Sequence, residues 1–229
     1  MIVALKELRW RPALTGETMV ERVVVFTRYP EPGLTKTRLI PMLGREGAAE
    51  LQRRMTEHTL SRVRSLARIR AVSIEVRYVG GDRMKMRDWL GSDLTFRRQR
   101  GANLGSRMAG AFRNAFKDGA KRVVIIGTDC PAVTTRLLAE ALDLLCKHEL
   151  VVGPALDGGY YLIGLRRVIP DLFRSVKWGT TEVLEETMRR AARSGVTATT
   201  LPTEGDVDCP EDLYRWDERK LGESEDGQL

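Results

Sequence analysis

Cysteine and histidine are scarce in this 229-residue sequence: three of the first and two of the second. Cys130, Cys146 and Cys209 are odd in number and far apart, and no CxxC pair forms. His58 and His148 do not complete a zinc pattern, so the thiols read as reduced side chains of a cytoplasmic protein. Aromatic residues are only 6% of the chain, which leaves few stacking platforms for single-stranded nucleic acid. Helix-turn-helix, zinc-finger and RNP-like signatures are missing too, so no nucleic-acid partner is expected. No apolar run approaches the ~18 residues of a membrane span. No apolar segment precedes a small-residue cleavage site, so no signal peptide is read. The GxxxxGK[ST] spacing is absent, which excludes a Walker A loop.

What is present is an ordinary globular balance, 42% hydrophobic and 30% charged. The formal net charge is +7, carried largely by scattered arginines, and suits anionic ligands such as nucleotides. Strand and helix patterns alternate throughout with no repeat or linker. That predicts one α/β domain, three-layer α/β/α, with a mostly parallel sheet and a late antiparallel hairpin. Residues 21–217 hold it. Residues 1–20 read as a weakly structured extension, with its first 18 residues upstream of a start at Met19, or with Ile2 to Leu8 as an edge strand or a dimer arm. Residues 218–229 read as a disordered acidic tail.

The chain is organised around Val123-Val124-Ile125-Ile126, four β-branched residues that read as a strand buried on both faces. Asp129 stands just beyond its carboxyl end, where ligands bind in open α/β sheets. It either caps the next segment or holds Mg2+ or Mn2+ against a diphosphate. An earlier strand, 22–28, runs into a loop with Pro30, Pro32 and Gly33, followed by Lys36 and Arg38. Two prolines and a glycine predict a rigid, non-helical loop, and the two bases suit a diphosphate or triphosphate. A helix is expected over 45–66, a strand over 72–79 with Val72, Ile74, Val76 and Tyr78 on one face, a helix over 83–90 and a strand over 94–98.

The loop from Gln99 to Met108 places Asn103 as a helix cap, with Gly101 and Gly105 open to a base or ribose. Amphipathic spacing predicts a helix over 134–147, then a strand over 150–153. Asp157-Gly158-Gly159 predicts a tight hairpin turn. With Tyr160 it would also make an open pocket wall for a sugar ring. Thr180 or Thr181 is expected to cap a helix over 182–193, before a last strand over 196–201. Asp208 or Cys209 should precede a helix with Pro210 at its first position. Asp206 and Asp208 are open candidates to reach a metal.

Taken together, FTRYPEPGLTKTRL, GTDCP, DGGYYLIG, WGTTEVLEET and DVDCPEDL occur in the order of a bacterial family that this chain resembles. It is a glycosyltransferase-A-fold (Rossmann-like) family of nucleotide-diphospho-sugar transferases, some assigned to arsenosugar biosynthesis. The resemblance covers about Val23 to Trp216. It implies that Arg28, Lys36 and Arg38, with Gly33, Asn103 and Gly105 beside them, hold the nucleotide. Asp129 would be the metal aspartate, and Asp206 or Asp208 a second acid on Mg2+ or Mn2+. Asp157, Gly158, Gly159, Tyr160 and Trp178 would line the donor or acceptor pocket, with Asp157 a general base. The implied partners are a nucleotide-sugar and a small-molecule acceptor. Nucleotidylyltransferases share the fold and would use the same lysine and aspartates. The sequence departs from the family at Asn103, Ser106 and Cys209, and no aspartate stands two residues after Asp129.

Overall fold

A computed structural model describes residues 21–216. The proposed N-terminal extension, its alternative start and the proposed acidic tail lie outside the described residues. A seven-stranded sheet forms the middle layer: β1 (Glu21–Arg28), β2 (Val72–Val79), β3 (Thr95–Arg98), β4 (Arg122–Ile126), β5 (Leu150–Pro154), β6 (Tyr160–Leu165) and β7 (Ala198–Thr200). Their spatial order is β3-β2-β1-β4-β6-β5-β7. The pairs β1–β2, β1–β4, β2–β3 and β5–β7 are parallel. β6 runs antiparallel to both β4 and β5.

Alternation along the strands builds the two outer layers. Val23 and Val25 of β1 and Val124 and Ile126 of β4 face α1 (Ile40–Ile69), α2 (Arg83–Leu90) and α4 (Thr135–Leu144) through Leu60, Met86 and Leu138. Val24 and Phe26, with Val123 and Ile125, face α3 (Leu104–Lys117) and α5 (Val183–Arg193) through Met108, Phe112 and Ala191. Each such aliphatic side chain contributes about 1.5–3 kcal/mol by leaving water. No helix among the described residues is long and apolar enough to cross a membrane.

Several boundaries differ from the sequence expectation. The loop after β1 turns helical at Thr37, and α1 begins at Ile40 instead of residue 45. Gly44 breaks the φ/ψ run with φ 72° and the helix continues beyond it, a kink that glycine takes without steric cost. The β5–β6 connection is a five-residue loop, Ala155 to Gly159, and not a two-residue turn. Within it Asp157 Oδ1 accepts from Gly159 N at 2.8 Å, so the carboxylate shapes its own loop. Glu182 stands at the α5 N-cap without a side-chain bond, so neither Thr180 nor Thr181 caps that helix. Asn103 does cap α3, in a reciprocal box with Ser106. Cys209 precedes a 3-10 turn, Pro210–Arg215, whose Asp212 accepts from the Cys209 amide.

Candidate active site at the carboxyl ends of β1 and β4

A cavity of about 550 Å³ opens where β1, β2 and β4 end and β6 begins. That volume suits a nucleotide-sized ligand. Its lining includes Arg28, Lys36, Arg38, Asp129, Asp157, Gly159, Tyr160, Trp178, Asp206 and Asp208. Segments spread over the whole chain therefore meet at one sheet edge. Gly33, Asn103, Gly105 and Gly158 do not line it. Asn103 is engaged in the α3 cap. A Cβ at Gly105 would stand 2.3 Å from the Trp178 ring, and one at Gly158 would stand 2.1 Å from Thr181 O. Those two glycines receive the 178–181 segment, which becomes a wall of the cavity. Gly101 is covered in the same way by its own helix start at Ser106.

Lys36 is the hub of the acidic side. Its backbone is left-handed, with φ 45°. Its side chain is 5% exposed. Nζ lies 2.6 Å from Asp129 Oδ1 and 3.0 Å from Asp208 Oδ1, and donates to Val207 O at 2.7 Å. Burial would lower the ammonium pKa, but the charges of Asp129 and Asp208 outweigh it and raise it above the usual lysine value. Arg38 stands 3.8 Å from Asp208 and is largely exposed. The main chain locks the same group together, since Val207 N donates to Asp129 O at 2.8 Å. Val207 in turn is buried against Leu39, Leu51 and Met55.

Asp206 is the strained member. Burial first, then the charges of Asp129, Asp157 and Asp208, push its carboxyl up to about 7. Its Oδ1 is buried with no hydrogen-bond partner. The nearby carboxylates add to the cost of ionising it, and the Lys36 charge offsets that only in part. Asp129, Asp206 and Asp208 all line the cavity, with Lys36 already paired to Asp129 and Asp208. As they stand, no three His, Cys, Asp or Glu groups among the described residues form a ready metal-holding cluster. Lys36 supplies the positive charge between two of them.

Two glutamines went unnoticed in the sequence. Gln52, on α1, is buried and donates through Nε2 to Thr27, Thr56 and Thr128 hydroxyls at 3.4, 3.1 and 3.3 Å. It ties the ends of β1 and β4 beneath the cavity. The available signal was two polar residues, Gln52 and Thr56, at i and i+4 on a helix face beside Leu51 and Met55. Gln99, which also lines the cavity, donates to Thr27 O at 3.2 Å and Arg77 O at 3.0 Å. Arg107 and Leu104, from the first turn of α3, complete that end.

Residues 62–180 match the family described as an uncharacterized protein conserved in bacteria (DUF2064). Among solved structures, the chain is 38% identical, with a TM-score of 0.79, to a Desulfovibrio desulfuricans G20 protein provisionally described as a nucleotide-diphospho-sugar transferase. The match covers 85% of this chain and 86% of that one. It also shares the fold of 4-diphosphocytidyl-2C-methyl-D-erythritol synthase from Anaerococcus prevotii, at 10% identity and TM-score 0.55, over 86% and 96% of the chains. Rv0371c of Mycobacterium tuberculosis, solved with manganese, is 17% identical with TM-score 0.50, over 89% and 99%. No curated protein matches the sequence.

Proposed function

The chain belongs to the DUF2064 family of proteins conserved in bacteria, and from that premise we propose that it is a metal-dependent glycosyltransferase acting on a nucleotide-diphospho-sugar. One observation carries the reading. A single cavity sets Arg28, Lys36, Arg38 and Arg107 among Asp129, Asp157, Asp206 and Asp208 at the strand ends. Bases there hold a diphosphate, and a divalent cation on Asp129, Asp206 and Asp208 would neutralise part of its charge. The description of the D. desulfuricans relative as a nucleotide-diphospho-sugar transferase supports the donor class.

Within this reading Lys36 and Arg38 balance the charge that builds on the departing nucleoside diphosphate. The Tyr160 and Trp178 rings, edge to face at 6.4 Å, form an apolar wall against which a sugar ring can lie. One Asp157 oxygen accepts from Gly159 N, and in this reading the other would accept the acceptor hydroxyl's proton as general base.

A second reading, nucleotidyl transfer, draws on the fold shared with the A. prevotii synthase. There a phosphorylated acceptor would attack the α-phosphate of a nucleoside triphosphate, and the same lysine and acids would serve the departing pyrophosphate. Product analysis separates the two. Purified protein with Mn2+ is incubated with nucleotide-sugars or triphosphates and an acceptor panel. Release of nucleoside diphosphate supports sugar transfer. Pyrophosphate release instead selects the second reading, and turnover of neither class removes both.

A further inference from the structure

Thr27, Gln52 and Thr128 line the cavity, and Thr56 is hydrogen-bonded to the first two. All four side chains are more than nine-tenths buried. Counting protons fixes how the Gln52 amide is turned. The Thr56 hydroxyl donates to the main-chain oxygen of Gln52 at 2.9 Å. Thr27 Oγ1 lies 2.8 Å from Thr56 Oγ1 and gives its own proton there. Neither hydroxyl has a proton left, so both can only accept from Gln52. The side-chain nitrogen therefore faces the threonines, and the side-chain oxygen is turned away from them. Among the described residues nothing donates to that oxygen, and it is not sealed from solvent. Since Gln52 lines the cavity, the oxygen opens into it.

Thr128 supplies the complement. Its Oγ1 accepts from Gln52 Nε2 at 3.3 Å, and its own proton meets no acceptor among the described residues. It immediately precedes Asp129. A free acceptor and a free donor thus stand side by side. A hydroxyl answers both, because one oxygen donates and accepts at once. A phosphate oxygen would meet the Gln52 carbonyl with no proton to give, and an ammonium would leave Thr128 without an acceptor. We infer that Gln52 and Thr128 form a subsite that reads an alcohol group of the ligand, on the ribose or on the transferred sugar. The inference rests on the nucleotide-sugar reading given under Proposed function and needs no metal. The threonines hold the amide in place before the ligand arrives, which is how a specific contact is kept in register. A ligand without the hydroxyl leaves the buried carbonyl unmet and binds more weakly.

The test is isothermal titration calorimetry on the full chain, in Mn2+ and again in chelator. The probes are UDP, GDP, CDP and ADP with their 2′-deoxy and 3′-deoxy forms, then UDP-glucose and GDP-mannose with forms lacking one sugar hydroxyl. Removing one hydroxyl should weaken binding to wild type about tenfold or more. A ribose position assigns the contact to the nucleoside, and a sugar position assigns it to the transferred group. Gln52→Leu and Thr128→Val should lower affinity for the parent ligand by a similar factor and leave that of the deoxy ligand unchanged. Thr128→Val keeps the side-chain shape and two of the three Gln52 bonds, so it decides the matter if Gln52→Leu does not fold. Circular dichroism checks both variants. Equal losses on parent and deoxy ligands in folded Thr128→Val, or no hydroxyl that discriminates in wild type, overturns the subsite while the nucleotide reading stands. Absence of binding by every probe overturns that reading and this inference with it.

Discussion

Asp206 carries the clearest conflict between burial and charge. A carboxyl pushed up to about 7 by burial, and then by Asp129, Asp157 and Asp208, keeps a proton in the folded chain that the unfolded chain releases near pH 4. Its contribution to stability is complete below about pH 4 and is lost as pH rises through about 7. In metal-free protein, Asp206→Asn should therefore gain stability over wild type as pH climbs, by on the order of 4 kcal/mol at pH 8. Melting curves in chelator from pH 4 to 8 read the trend, and a constant offset across that range would contradict it. Gly105 makes a second residue-scale case. A methyl there would meet the Trp178 ring, so Gly105→Ala should cost about 1–3 kcal/mol in denaturant unfolding. A neutral result would mean that the 178–181 wall yields freely.

Among the elements, β2 buries residues on both of its faces. Val72, Ile74, Val76 and Tyr78 do pack on the α1 and α2 side as the alternation predicts. The other face carries Glu75 and Arg77, which are only 1% and 3% exposed. They pair with each other, and Arg22 adds a contact to Glu75 at 3.3 Å. Glu75→Ala strands the Arg77 guanidinium and should cost about 3–5 kcal/mol. Adding Arg77→Met should recover a large part of the loss in a double-mutant cycle; additive losses would show that the pair does not act as a unit. Strands β1 and β4 were legible because runs of valine and isoleucine have few other uses. The kink at Gly44 was not, since a glycine at a helix start reads as a stop until packing carries the helix past it. Lys36 and Asp129 were visible through the motifs that hold them. Gln52 and Gln99 were not, because their roles arise only when separate strand ends come within reach of one amide.

At the scale of the whole molecule, charge sits at both ends of the sheet with opposite consequences. Opposite the cavity, Glu21 is bound by Arg70 and Arg122, with Nε of each within hydrogen-bond distance. Burial would raise its pKa, but the two guanidiniums outweigh it and hold the carboxyl below the usual glutamate value. That stabilisation is present above about pH 4.5 and lost as pH falls through the lowered value. Glu21→Gln should lower stability at pH 7 and flatten the acid limb of unfolding, which denaturant titrations at pH 3 to 7 would reveal. An acid limb as steep as in wild type would move that role to other carboxylates.

The cavity end holds the central claim, that Asp129 with its acidic neighbours binds a nucleotide diphosphate through a divalent cation. The most direct measurement is a thermal-shift titration of wild type and Asp129→Asn against nucleotide-sugars, each with and without Mn2+. A ligand that binds only the folded state raises the melting temperature by mass action. The account predicts a shift in wild type that needs both Mn2+ and one class of nucleotide-sugar, and that Asp129→Asn loses while still folding. A metal-independent shift that survives Asp129→Asn, or no shift with any nucleotide-sugar, would contradict it.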